Sequence, residues 1–293
     1  MDIQLLQAFY TTAQEGSLSK AAQKLNYAQS NVTNKIQQLE ADLNTQLFYR
    51  HNRGITLTPS GQTLVPFAEK ILHTIQEARL AVGDSTVPSG PLHIGSMETT
   101  AAVRLPALLT KYHTRCPAVE LSLVTGPTEQ HISRVLHYEL SGAFVAGPVE
   151  HPDLIQENVI DEDLVLVTPA SHRPITSLNE IELRTLLVFR SGCSYRAKLQ
   201  QLLHEQGMFP VKLMEFGTQE TIIGCVSAGL GISLLPRSIV SLSERQGLIR
   251  CHVPDKPITV TTVFIRRKDS LITTAFEEFL TEMRAHFPQK STL

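Results

Sequence analysis

The sequence predicts a chain of two characters. A helical N-terminal segment built as a helix-turn-helix with a β-hairpin leads through one long helix into an α/β region. Three observations predict it. Residues 17–43 hold two short amphipathic helices with a tight turn between them. Residues 59–83 carry apolar positions at helical spacing throughout. From Pro91 onward short apolar runs alternate with amphipathic segments, the pattern of an α/β fold, here read with mainly parallel sheets.

The N-terminal segment begins with a helix marked by Ile3, Leu5, Leu6, Phe9 and Ala13 and stopped near Gly16. Ser17 is placed to cap the next helix, whose first turn holds Lys20. The small Ala21 and Ala22 let a third helix cross closely. That helix aligns Val32, Ile36, Leu39 and Leu43 on one face at spacings of three and four. Its other face is amide and hydroxyl: Gln29, Ser30, Asn31, Thr33, Asn34 and Gln37. A solvated face usually carries Glu and Lys. Amides and hydroxyls near a helix N-terminus suit hydrogen bonding to base edges and phosphates, so duplex DNA is the first candidate partner. Asn44 can take the left-handed conformation that ends a helix.

Residues 47–50 and 55–57 are short apolar stretches around an Arg/Asn/Gly turn, a β-hairpin wing. Arg50 and Arg53 are placed for phosphate or a minor groove; alone they would equally suit a basic surface turn. Thr58 and Pro59 then start a helix as N-cap and first residue. Leu64, Phe67, Ala68, Ile71, Leu72, Ile75, Ala78, Leu80 and Val82 carry it to about Gly83. Its apolar stripe lacks an evident partner in so small a domain. Either a second subunit's helix or the rest of this chain covers it. Residues 84–90, small, polar and broken by Pro88 and Gly90, read as a linker or hinge.

In the α/β region, strands are expected at 92–95, 119–124, 142–146, 154–159, 164–167, 186–189, 213–216, 232–235, 249–253 and 260–265. Helices are expected after residue 100 to Pro117, and over 128–140, 178–183, 195–206, 218–228 and 272–286.

Bulk composition narrows the function. A formal net charge of -2 over 293 residues excludes polyanion binding by overall electrostatics, so nucleic-acid binding must come from a local surface. No run of 18 apolar residues suggests a membrane span, and no basic-then-apolar leader opens the chain. Cys116, Cys193, Cys225 and Cys251 are scattered, with neither a metal-binding nor a disulfide pattern. A reducing, cytoplasmic setting fits, and no cofactor or metal is called for. No Gly-x-Ser-x-Gly, phosphate-binding loop or zinc-type histidine pair is present, which weighs against an enzyme. A transport binding protein would lack the N-terminal helix pair.

Taken together the chain resembles the LysR-type transcriptional regulators over nearly its whole length. The resemblance rests on Ala8-Phe9, Gly16-Ser17-Leu18, Ala21-Ala22, Gln29, Val32-Thr33, Ile36, Leu39-Glu40, Leu43, Leu47-Phe48, Arg50, Arg53 and 57–61. Ala228-Gly229-Leu230-Gly231-Ile232 and Leu234-Leu235-Pro236 continue it in the second half. Ala28 and Ser30 stand where that family usually has Ser and Pro, and Asn44 where it usually has Gly.

The resemblance implies a winged helix-turn-helix over 1–58, a dimerising linker helix over 59–87 and an effector domain over 88–293. That domain would resemble two-lobed periplasmic binding proteins (type 2), with lobe I at about 91–163 plus 267–293 and lobe II at about 164–266. Crossing strands would lie near 164–169 and 260–266. It further implies a homodimer or homotetramer, a roughly palindromic operator, contact with RNA polymerase, and a small-molecule effector that closes the lobes.

The candidate DNA contacts are Gln29, Ser30, Asn31, Thr33, Asn34 and Lys35 near the groove, with Lys20, Arg50 and Arg53 on the backbone. Residues 1–58 hold five positive and four negative side chains, 5 − 4 = +1. Binding then needs several copies on one site. Effector contacts are expected where strands give way to helices: Ser96, Met97, Glu98, Thr99, Thr100, Thr128, Arg190, Ser191, Cys193, Tyr195, Arg196, Thr218 and Gln219. Each hydroxyl there would serve equally as an ordinary helix cap. Arg190 or Arg196 would pair a carboxylate, whereas Glu98 and Glu220 favour an amine or a zwitterion. Cys193 offers a redox-sensing alternative, against a plain semi-buried role.

Overall fold

A computed structural model describes residues 2–51, 54–83, 86–174, 180, 185–189, 194–205, 207, 212–253 and 258–288. The chain forms two compact units, Met1–Gly83 and Asp84–Leu293.

The first unit packs α1 (Ile3–Glu15), α2 (Leu18–Leu25) and α3 (Gln29–Asp42) around Phe9, Ala21, Ala22, Val32, Ile36 and Leu39. Ser17 caps α2 by accepting from the Lys20 N–H, and Gly16 at φ 59 closes α1. The turn between α2 and α3 is made by Asn26 in the left-handed region at φ 54, which its short amide side chain tolerates. Asn44 does the same after α3, at φ 48. Leu43, expected in the core, is 38% exposed. It is the C-cap of α3, where the chain leaves the helical path and the apolar stripe ends.

The wing pairs β1 (Phe48–His51) with β2 (Gly54–Leu57), antiparallel. Glu40 of α3 fixes its base by accepting from the Leu47 and Phe48 N–H groups at 2.8 and 3.3 Å. The long helix α4 spans Pro59–Gly83, with Thr58 Oγ1 accepting from Gly61 N. Gly61 lies so close to the Leu47 carbonyl that a Cβ would collide with it. The stripe of α4 does find a partner in its own unit over the first half: Ala68 is buried, and Leu64, Val65, Ile71 and Leu72 pack on the same core. Tyr10 donates to Glu69 at 2.5 Å across that contact. Beyond it the apolar surface is open, with Val82 91% exposed, and Phe67 is 61% exposed on the far side.

The second unit contains two similar lobes. In the first, β3 (Gly90–Ser96) lies between β4 (Val119–Thr125) and β5 (Gly142–Ala146), all parallel. Helices α5 (Glu98–Val103), α6 (Leu105–Arg115), α7 (Thr128–Leu136) and α11 (Thr274–His286) accompany them. One face buries Leu105, Leu108, Tyr112, Phe144, Phe264 and Phe279. The other buries Val135, Leu140, Val145 and Ile265. In the second lobe β7 (Thr185–Phe189) and β8 (Lys212–Phe216) are parallel, and β9 (Ser233–Pro236) is tied to β7 through Ile232. Helices α8 (Ser194–Glu205), α9 (Gln219–Ser227) and α10 (Arg237–Arg245), with β10 (Ile249–His252), complete it. The Gly-Leu-Gly turn is explained here. Gly229 has φ 81, and a Cβ on Gly231 would strike the Thr185 carbonyl.

Two strands run through both lobes: β6 (Leu154–Pro169) and β11 (Ile258–Arg267), antiparallel to each other. The sheets are therefore mixed, parallel within each lobe but antiparallel at β6 and β11, rather than mainly parallel. The expected separate strands at 154–159 and 164–167 are one 16-residue strand. The acidic run Asp161-Glu162-Asp163 looks like a break because here the strand passes between two cores. Asp161 and Asp163 accept from Thr261 and Thr259 on β11 at 2.8 and 3.2 Å. Glu162 accepts from Arg104 at 2.6 Å and from Ser238 at 3.0 Å.

Three further differences have local causes. The helix before Pro117 breaks at Arg104 because Pro106, at the start of α6, has no N–H for a continuous helix. The helix expected over 128–140 stops at Leu136, where Arg267 donates to its carbonyl at 2.8 Å and stacks over Tyr138 at 4.2 Å. Helix α10 is additional; it is nine residues long and buries Val240. The helix expected over 178–183 lies outside the described residues apart from Glu180.

Candidate functional site

On the first unit, α3 buries Val32, Ile36 and Leu39 and so turns Gln29, Ser30, Asn31, Asn34, Gln37 and Gln38 to the surface. Thr33 and Lys35 flank this face, half-buried. Ala28 stands at the N-cap with no side-chain acceptor. The first bonds back to Ala28 O come from Asn31 N and Val32 N, which leaves earlier N–H groups of the turn directed outward, a ready site for phosphate. Ser19 donates to the Gln29 amide oxygen at 2.9 Å, fixing that side chain against α2. Thr33 Oγ1 instead donates to the Gln29 carbonyl at 3.0 Å. Lys35 donates to Gln4 at 2.8 Å and sits over the Tyr27 ring at 5.5 Å.

Of the expected backbone contacts, Lys20 and Arg50 are exposed. Lys24 is paired with Glu15 at 2.8 Å, and this pairing holds the Glu15 carboxyl below the usual carboxylate range. Arg53 lies outside the described residues. Gln38, exposed beside Asn34, belongs to the same face and was legible from its helical position.

On the second unit a cavity of about 690 Å³ opens between the two lobes. Lobe I contributes Met97, Glu98, Thr99, Thr125 to Thr128 and Gln130. Lobe II contributes Phe189, Tyr195, Glu215, Phe216 and Gly217. Thr99 Oγ1 and the Tyr195 hydroxyl meet across it at 3.2 Å. Arg196 pairs with Glu215 at 2.5 Å.

Many of the expected hydroxyls are already bonded within the chain. Ser96 is fully buried and donates to the Met97 carbonyl at 3.0 Å. Thr128 Oγ1 accepts from Ala146 N at 3.1 Å. Thr218 is the N-cap of α9. Thr100 is buried outside the cavity lining. Gln219 is also buried, with Nε2 donating to Glu220 and Oε1 unpartnered. Arg190, Ser191 and Cys193 lie outside the described residues. The cavity thus gathers Met97, Glu98, Thr99, Thr128 and Tyr195 from the expected set. It adds Gln130 from α7, Gly217 after β8, and Thr125, Phe189, Glu215 and Phe216, whose orientation depends on strand register.

His131, on α7 behind this wall, carries no motif that would single it out. Its Nε2–H donates to the Ser96 carbonyl at 2.9 Å, which also accepts from Gly126 N at 3.1 Å. The two lobe I loops that line the cavity are therefore held to each other. Burial holds the His131 pKa below the ordinary imidazole value, which favours the neutral ring. Burial raises the thiol pKa of Cys116 and pushes that of Cys251 up to about 12, which makes both poor thiolates. Among the described residues no cluster of His, Cys, Asp and Glu could hold a metal ion, and no helix is long and apolar enough to cross a membrane.

Residues 3–62 match the family described as bacterial regulatory helix-turn-helix protein, lysR family, and residues 85–288 match the LysR substrate binding domain. The chain is 67% identical over 291 residues to the HTH-type transcriptional regulator GltR of Bacillus subtilis (strain 168), spanning 99% of this chain and 98% of that protein. It is 47% identical over 281 residues to the HTH-type transcriptional regulator YofA of Bacillus velezensis, spanning 96% of each. A full-length OxyR variant from Pseudomonas aeruginosa has a similar fold, with TM-score 0.73 at 23% identity over 100% of this chain and 99% of that one. So does full-length CbnR complexed with its target DNA, with TM-score 0.65 at 23% identity over 98% and 100%.

Proposed function

Because the chain belongs to the LysR family of bacterial helix-turn-helix transcriptional regulators, we propose that α3 and the wing read a roughly palindromic operator and that a small molecule in the interlobe cavity controls the outcome. The family consists of DNA-binding regulators, not enzymes. The observation that carries the reading is the exposed amide face of α3 at an uncapped helix N-terminus. Gln29, Ser30, Asn31, Thr33, Asn34 and Lys35 face the groove in this reading, and Lys20, Arg50 and Arg53 hold the phosphates. Asn side chains reach adenine with two hydrogen bonds, whereas Lys and Arg on phosphate add affinity without sequence preference.

A net charge of +1 over residues 1–58 gives each copy little electrostatic affinity. The protein therefore acts as a homodimer or homotetramer, with the exposed apolar positions of α4, Phe67 and Val82, turned to a second copy. Its site of action is the cytoplasm, where operator and RNA polymerase are present. Effector binding between lobes joined by β6 and β11 alters their closure, and through the subunits alters DNA bending and polymerase contact.

Selection of binding sites from random duplex DNA by the full-length protein tests this. The expected product is an enriched sequence with two-fold symmetry, bound about a helical turn or a multiple apart per half-site. Enrichment of no common sequence would overturn the reading.

A further inference from the structure

We infer that the effector carries an ammonium or guanidinium group, that this group pairs with the Glu98 carboxylate, and that the effector's body lies against the aromatic wall of the cleft. The inference rests on the proposed role of the cavity as the effector site and names the ligand class for it.

The first observation is charge. Glu98 and Glu215 are the charged side chains among the described residues of the cavity wall, and both are acids. They are not equivalent. Glu215 is paired with Arg196 at 2.5 Å. Among the described residues none donates to or pairs with Glu98, which is half-buried at the start of α5. Among the described residues, then, one negative charge without an ion-pair partner faces the cavity. An anionic ligand placed there would meet repulsion from it, and a neutral ligand would leave a partly desolvated carboxylate unpaired.

The second observation is the opposite wall. Phe189, Tyr195 and Phe216 line it from lobe II, with the Phe189 and Tyr195 rings 6.5 Å apart and tilted by 60°. Aromatic faces attract a cation as well as an apolar body. The third observation is that two neighbouring hydroxyls are already engaged. The Thr128 hydroxyl accepts from Ala146 N, and Thr99 meets Tyr195. Glu98 is thus the charged anchor on the lobe I side, beside the uncharged Thr125 and Gln130. The volume, about 690 Å³, lies within the range of about 300–1,000 Å³ that suits a small metabolite.

The test uses the full-length protein and matched probes at millimolar concentration: phenethylamine against hydrocinnamate, and agmatine against glutarate. Melting temperature and calorimetric affinity are read for wild type and for Glu98→Gln. The expected result is that a cationic probe raises the melting temperature and its anionic counterpart does not. Glu98→Gln should weaken the cationic probe about ten- to hundredfold, the loss of one charge-assisted contact. Its ligand-free melting temperature should lie close to wild type, because among the described residues no hydrogen bond or ion pair of the fold uses that carboxylate. Glu98→Asp, which keeps the charge, should retain most of the affinity.

Tighter binding of an anionic probe than of its cationic counterpart would overturn the inference. So would cationic binding that survives Glu98→Gln, or no cationic binding at all. Operator binding, followed in parallel by mobility shift, separates these failures from failure of the regulator reading itself.

Discussion

The outer face of α3 and the lobe I wall of the cleft are both rich in short polar side chains, yet they use them in opposite ways. On α3 the side chains of Ser30, Asn31, Asn34, Gln37 and Gln38 lie at the surface. At the cleft, Ser96 behind the wall is bonded to the Met97 carbonyl, and Thr128 in it to Ala146 N. A polar residue at a strand-to-helix junction has buried backbone groups close by and bonds to them first. A polar residue on the outer face of an amphipathic helix has fewer such groups in reach, chiefly the carbonyl one turn back that Thr33 uses. In the proposed reading the open groups on α3 carry most of the recognition, and the bonded groups carry the shape in which recognition happens. In the cleft the charged group without a partner among the described residues is Glu98, with Thr125 and Gln130 exposed beside it.

This contrast can be broken by substitution. The largest effect is expected for Asn31→Ala with Asn34→Ala. Loss of two amide contacts should lower operator affinity about hundredfold or more, read by fluorescence anisotropy. Retention of wild-type affinity would remove α3 from the account. Next is Gly61→Ala, where the added methyl meets the Leu47 carbonyl. Chemical denaturation should show the first unit destabilised by about 1–3 kcal/mol.

Ser96→Ala comes third. It removes a fully buried hydroxyl's bond and should cost about 1 kcal/mol in the second unit, a loss that a surface hydroxyl on α3 would not show.

The smallest effect is expected at Asp269, whose carboxyl the Arg267 guanidinium beside it holds at about 2. The folded value lies below the unfolded one of about 3.9. The stabilisation is therefore present above about pH 4 and is lost as pH falls through the folded value near 2. The pair is partly exposed, with 40% of the Asp269 side chain open to solvent, so screening keeps the worth below about 1 kcal/mol. Urea midpoints of Asp269→Asn and wild type should differ slightly at pH 7 and converge toward pH 2.

What the sequence made legible follows the same division. Helical spacing alone placed Val32, Ile36 and Leu39 inside and the amides outside, because one helix sets both faces. Leu43 escaped that logic because it sits where the helix ends. In the second unit the alternation of strand and helix was readable. The unity of β6 was not, since Asp161, Glu162 and Asp163 look like a loop until Thr259, Thr261 and Arg104 are brought to them. The cleft loops of lobe I were found from their position between strand and helix. Glu215 and Phe216 were missed because the direction of a strand's last side chains is set by register with β7. Whether a threonine is open or bonded depends on residues far along the chain, as Ala146 is for Thr128.

The most direct test compares two changes on one helix. Asn31→Ala with Asn34→Ala removes open groups from α3. Glu40→Ala removes a group bonded to the Leu47 and Phe48 N–H groups of the wing. Each variant is measured for operator affinity well below its melting point and for melting temperature. The account predicts a crossed result. The double variant loses about two orders of magnitude in affinity at unchanged melting temperature. Glu40→Ala loses several degrees, roughly 1–2 kcal/mol for an unsatisfied pair of donors, while holding affinity within a few-fold. Wild-type affinity in the double variant, or a melting temperature lowered as far as that of Glu40→Ala, would contradict it.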